Sequence, residues 1–208
     1  MSGPRAAVVS TTDRATGPLP AWERPFNRGC RLRSMRWVGL VRNVMLGRDG
    51  LTRARLLDTV AEVGGSQVRS YLTTGNVTFD AGATEVDALS RRLEAELSRI
   101  VSRPTMVAIR EHRWIRDLVT HDLFSGLEAE AWEFEVAFLR HAASAIDPHM
   151  LPEPGRTRLV AIYKRELATV RPRSGPGRPH VNTLLERASG EPATARGWST
   201  LRRIAADP

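Results

Sequence analysis

Apolar positions are scattered without period through residue 34 and become regular from Met35 onward. The run Met35-Arg36-Trp37-Val38-Gly39-Leu40-Val41 predicts a first strand. From about 52 to 63, Leu56, Leu57, Val60 and Val63 share one helical face, and Gly64 and Gly65 suit its C-cap. Val68 to Leu72 and Val77 to Phe79 predict two strands joined at Thr73-Thr74-Gly75-Asn76, where Gly and Asn supply the positive φ of a tight turn. Thr84 with Asp87 three residues on marks a helix start. Val86, Leu89, Leu93, Leu97 and Ile100 then follow at steps of three and four. A short strand over Pro104 to Ile109 completes a β-α-β-β-α-β order, that of a ferredoxin-like plait.

The second half is less regular. Trp132, Phe134, Val136 and Phe138 alternate with Glu133, Glu135 and Ala137, the period of a strand with one buried face. Arg158 to Tyr163 and Leu167 to Val170 predict two more strands, and Val181 to Ala188 and Ser199 to Ala206 two short helices. No internal repeat of fixed short period is present. The expected fold class is α+β, with a ferredoxin-like subdomain over 35–110 and a second, smaller α+β subdomain over 111–208. Residues 1–34 are rich in Arg, Pro, Gly, Ser and Thr, and are expected to form a disordered basic extension ahead of a natural start at Met35.

Composition narrows the classes. No segment reaches the roughly 18 to 20 consecutive apolar residues of a membrane span, so no membrane partner is expected. Cys30 is the single cysteine, which excludes a disulfide framework and a Cys-based metal cluster and points to the cytoplasm. Net charge is +8, almost all from arginine, Lys164 being the only lysine. Half of that charge lies in residues 1–34; the remainder divides into an acidic middle and a basic C-terminal quarter.

Four separated blocks carry a family resemblance across residues 35 to 205. Leu40-Val41-Arg42-Asn43-Val44-Met45-Leu46-Gly47 is similar to a family Leu-Leu-Arg-Gly-Ile-Asn-Val-Gly, and Thr73-Thr74-Gly75-Asn76-Val77-Thr78-Phe79 to a family Gln-Ser-Gly-Asn-Val-Val-Phe. Val136-Ala137-Phe138-Leu139 matches a family strand, and Pro192-Ala193-Thr194-Ala195-Arg196-Gly197-Trp198-Ser199-Thr200-Leu201 resembles Pro-Ala-Thr-Thr-Arg-Asn-Trp-Asn-Thr-Val. The family is domain of unknown function 1697. The resemblance implies a fold and no reaction. Its polar positions depart here, at Asn43-Val44-Met45, Arg178-Pro179-His180-Val181, Gly197 and Ser199, whereas Arg42, Gly47, Gly75, Asn76, Asn182, Thr194, Arg196, Trp198 and Thr200 agree.

Candidate sites each carry a structural alternative. Arg42, Asn43, Thr74 and Asn76 converge in expectation at one end of the first sheet, where an arginine binds phosphate or carboxylate; alternatively Asn76 is a turn residue and Arg42 pairs with an acidic helix residue. The loop from Arg171 to His180, with Arg173, Arg178 and His180 ahead of Asn182, presents guanidinium groups and a helix start to an anion, although three prolines remove donors and no P-loop spacing exists. Arg196 and Trp198 suit stacking on a planar ligand or base; alternatively Trp198 is a core anchor. Catalytic and metal-binding motifs are absent, and no cofactor is expected. The preferred expectation is a non-enzymatic binding protein for nucleic acid or a phosphorylated small molecule. The alternative is a small-molecule enzyme or carrier with its site between the subdomains.

Overall fold

A computed structural model describes residues 34–140, 157–173 and 181–208. The anticipated extension, apart from Ser34, lies outside them, as do Arg178 and His180. The fold is mixed α+β: two antiparallel four-stranded sheets, with five helices among the described residues. No helix among these residues is long and apolar enough to cross a membrane.

The first sheet is built from β1 (Ser34–Val41), β2 (Ser66–Tyr71), β3 (Asn76–Gly82) and β4 (Val107–Glu111), in the order β2-β3-β1-β4. Helices α1 (Arg53–Glu62) and α2 (Val86–Ile100) connect β1 to β2 and β3 to β4, and α3 (His112–Thr120) follows β4. The second sheet is built from β5 (Trp132–Leu139), β6 (Arg158–Ile162), β7 (Glu166–Pro172) and β8 (Ala193–Gly197), in the order β6-β7-β5-β8. Helix α4 (Val181–Ser189) joins β7 to β8, and α5 (Trp198–Ala205) follows β8. Read in chain order, both sheets place their third strand beside their first, their first beside their fourth, and their second at the edge. Each ends in a strand that runs directly into a helix.

Both faces of the first sheet are covered, which is why β1 reads as an apolar run rather than an alternation. Trp37, Val41, Val77 and Phe79 on one face meet Leu56 and Val60 of α1 and Leu89, Leu93 and Leu97 of α2. On the other face Val38, Leu40 and Ala108 share a core with Ile115 and Leu118 of α3, Leu201 and Ile204 of α5, and Val136, Phe138, Ala168 and Val170 of the second sheet. Each of the Val, Leu, Ile and Phe side chains among them gains about 1.5–3 kcal/mol from leaving water. The outer face of the second sheet, Ala137, Leu139 and Leu167, packs on Val181 and Leu185 of α4. Strand β5 is thus covered on both faces over its last four residues and on one face earlier, where Glu133 and Glu135 pair with Arg171.

Three local expectations are corrected. Helix α2 begins with Glu85 as N-cap and no side-chain capping bond, so Thr84 does not form the anticipated cap. Strand β4 starts at Val107, because Pro104 has no amide to donate to a ladder and the Thr105 amide donates to Ser98 Oγ. Helix α3 and strand β8 had no counterpart in the sequence pattern.

Candidate functional site

The end of β1, the turn between β2 and β3 and the middle of β8 meet in a buried polar cluster. Gly75 holds φ +67° in that turn, and a Cβ there would stand 2.3 Å from Val44 Cγ2. Asn76, fully buried, donates from Nδ2 to Tyr71 O and Thr74 Oγ1, both at 3.0 Å. Its Oδ1 accepts from Arg196 Nε. Arg196 also donates from Nη1 to Thr194 Oγ1 (2.7 Å) and Ala195 O (2.8 Å), and from Nη2 to Val41 O (2.8 Å) and Thr74 O (2.9 Å). All five guanidinium donors are committed to neutral acceptors. Burial lowers the Arg196 pKa to about 10, which leaves it charged at neutral pH.

Arg42 lies one residue beyond β1 and pairs with Glu186 of α4, Nη2 to Oε1 at 2.7 Å. The same carboxylate oxygen accepts the Ala193 amide at 3.2 Å. Asn43 is exposed, with φ 52°, and its carbonyl accepts from Arg103. One turn before Glu186, the Asn182 Oδ1 is buried without a hydrogen-bond partner among the described residues. The structure therefore brings Thr74, Asn76 and Arg196 into direct contact and sets Arg42 against α4. Arg173 is elsewhere, its Nε donating to Ala129 O ahead of β5. Trp198 is a core residue, 8% exposed and edge-on to Phe124 with ring centroids 5.1 Å apart.

The same arrangement occurs a second time with the halves exchanged. Arg110 of β4, like Arg196 of β8, stands two residues before a helix. It donates from Nε to Glu166, from Nη1 to Ile109 O and from Nη2 to Leu139 O. Arg140, one residue beyond β5 as Arg42 is beyond β1, pairs with Glu94 of α2 at 2.8 Å. Glu94 accepts the Val107 amide that opens β4, as Glu186 accepts the Ala193 amide that opens β8. Each half thus sends one arginine into the other's first strand end and receives one in return. The two differ in charge: Arg110 meets a carboxylate, whereas Arg196 meets the amide of Asn76. Burial lowers the Arg110 pKa, and Glu166 opposes that shift.

A different set of arginines faces outward. Helices α3 and α5 lie antiparallel. His112 Nε2, at the start of α3, is 2.8 Å from Ile204 O near the end of α5, while Phe124, past the end of α3, meets Trp198 at the start of α5. Their buried faces hold His112, Ile115, Leu118, Trp198, Leu201 and Ile204. Their exposed faces hold Arg113, Arg116, Arg202 and Arg203. Arg113 has Asp117 at 3.9 Å; the guanidinium groups of the other three make no hydrogen bond or ion pair among the described residues. None of these four was a sequence candidate: α3 was not anticipated, and Arg202 and Arg203 lie within the helix expected over Ser199 to Ala206.

A family model described as "Protein of unknown function (DUF1697)" matches residues 35–167. The chain belongs to this family. The DUF1697 match opens in β1 and runs through the first sheet to Leu167 in β7, so the C-terminal block from Pro192 to Leu201 lies outside it. Among solved structures the chain is similar to that of conserved bacterial protein SP0830 from Streptococcus pneumoniae. The two are 14% identical, and the likeness covers 83% of this chain and 97% of that one with a TM-score of 0.55. At that identity the likeness speaks to fold alone. No curated protein matches the chain.

Proposed function

We propose that this DUF1697 protein is a non-enzymatic binding protein for an anionic partner, and that the partner is a nucleic-acid backbone engaged by the α3–α5 face. The observation that carries the reading is the outward placement of Arg113, Arg116, Arg202 and Arg203 on two adjacent antiparallel helices. Four guanidinium groups spread over the exposed faces of two helices suit an extended polyanion rather than a small ligand, which needs a concavity. Arg202 and Arg203 stand in the last turn of α5, where the helix dipole favours cations. Phosphate contacts of this kind position a chain without reading bases, so binding is insensitive to sequence. The reading carries with it a ferredoxin-like plait for each half, supported by the shared strand order, and a cytoplasmic setting, supported by the single cysteine.

Fluorescence anisotropy of labelled single- and double-stranded DNA and RNA across about 50 to 200 mM salt tests it. Four phosphate contacts give a slope of about −3 to −4 in log Kobs against log salt, and no binding at the low-salt end removes the reading. A second reading, a small-ligand site between the halves, is favoured by one observation, the unpartnered Asn182 Oδ1 one turn from the Arg42–Glu186 pair. Against it, Arg196 has no donor left for a ligand.

A further inference from the structure

The doubled architecture separates what packing requires from what it does not. Buried arginines crossing between the halves occur twice and so belong to the architecture that both halves share. One polar cluster occurs once. On the first sheet, Arg36, Arg69, Tyr71 and Thr78 surround the carboxylate of Asp207, which lies just past α5. Arg36 Nη2 stands 2.6 Å from Oδ2, Arg69 Nη1 2.9 Å from Oδ1, and Thr78 Oγ1 2.8 Å from Oδ2. The Tyr71 hydroxyl lies close to the same carboxylate. Strand register gives the corresponding positions in the second half: Val38 opposite Thr78 answers to Val136 opposite Ala168, and Arg69 opposite Thr78 to Ala161 opposite Ala168. Arg36 then corresponds to Phe134, which stacks on Phe124 at 4.8 Å. The second half is therefore built with apolar side chains where the first carries two guanidiniums and a hydroxyl. Burying such an ionic cluster gains little over well-packed hydrophobic residues. Its geometry is that of a receptor: two arginines and two hydroxyls converging on one oxyanion.

The cluster also has an opening. The Asp207 side chain is 1% exposed, yet that of Arg69 is 55% exposed. Asp207 itself is in irregular chain, held to α5 by a single backbone bond from its amide to Ile204 O at 3.0 Å. It can leave without unwinding the helix.

We infer that Arg36, Arg69, Tyr71 and Thr78 form a binding site for one oxyanion group of a small ligand, a carboxylate or a phosphate monoester, which Asp207 fills in cis and a ligand enters by displacing it. The site is independent of the α3–α5 face, to which none of its four residues belongs, so either proposal can fail alone.

The test is chemical rescue of Asp207→Ala in the full chain. Thermal melts are recorded in chloride, acetate and inorganic phosphate at matched ionic strength. The expected result is a Tm lowered in chloride and restored by acetate, phosphate or both in D207A, with no restoration in D207A/R36Q; the anion that restores it identifies the ligand class. Should D207A not fold in chloride, Asp207→Ser, whose shorter side chain still leaves the carboxylate's place open, serves in its place. A 31P titration then reads binding directly. Inorganic phosphate binds the Asp207 variant tenfold or more tighter than the unmodified chain, where the competent state is rare. Absence of rescue by either anion, equal rescue in the R36Q background, or equal phosphate affinity with and without Asp207 overturns the inference.

Discussion

Several of the arginines in the described residues are structural elements of the fold rather than free surface charge. Arg110 and Arg196 are both buried, at 4% and 7% exposure, but they are stabilised differently. Arg110 relies on a carboxylate; Arg196 relies on four oxygens of neutral groups and the amide of Asn76. Glu166→Gln should therefore cost about 3–5 kcal/mol by leaving Arg110 buried and uncompensated, whereas replacing both partners with apolar residues of similar volume should recover most of the loss. Urea unfolding of E166Q and of the R110M/E166L pair measures both. Asp207 gives a separate signature in acid. Burial alone would raise its pKa, but hydrogen bonds from Tyr71, Arg36, Thr78 and Arg69 outweigh burial and hold it well below the ordinary 3.8. A depressed carboxylate stabilises the fold fully above its unfolded pKa and loses that contribution as pH falls through the folded one. Stability should decline below about pH 4, with a shallower decline in Asp207→Asn. None of these pairings is legible in sequence, since Asn76 and Arg196 are 120 positions apart and Arg36 and Asp207 171. Arginine carries no pattern that distinguishes a buried residue from a solvated one.

Elements with a strong apolar period were legible. Helices α1 and α2 present their buried Leu and Val residues at steps of three and four, and the β2–β3 turn shows itself through Gly75, whereas Asn76, expected to share the positive φ, is the first residue of β3. Gly75 is required twice over, by its positive φ and by the closeness of Val41 and Val44. Gly75→Ala should cost about 2–5 kcal/mol, from the left-handed backbone and from overpacking together. Gly47→Ala, also at positive φ but with no atom within 4 Å of the new Cβ, should cost only the backbone share of about 1–2 kcal/mol. Equal losses in the two variants, read from urea midpoints, would exclude the packing contribution. Strand β8 escaped notice because Ala193-Thr194-Ala195-Arg196-Gly197 has small side chains and no β-branched run; it is a strand through its ladder with β5. Helix α3 escaped because its nine residues are few and Glu111 makes no capping bond, so its stability comes from packing Ile115 and Leu118 against α5.

At the scale of the whole molecule, the organising feature is two sheets of one strand order that exchange arginines across a shared core. The apparent irregularity of the second half is a difference in side chains, not in topology: where β1 and β3 carry Arg36 and Thr78, β5 and β7 carry Phe134 and Ala168. A repeat expressed through strand order rather than residue identity leaves no short period to read. The net charge of +8 is likewise a poor guide by itself, since Arg36, Arg42, Arg110, Arg140 and Arg171 are paired with carboxylates inside the fold. On the outer face of α3 and α5, by contrast, Arg113, Arg116, Arg202 and Arg203 stand exposed together.

The direct test of that division is charge reversal at Arg113, Arg116, Arg202 and Arg203 together, with unfolding confirming an intact core and anisotropy measuring nucleic-acid binding at low salt. The account predicts an unchanged urea midpoint, with binding and its salt dependence lost. Undiminished binding by the folded quadruple variant would contradict it and return the search to residues 1–33 and to the seam between the halves.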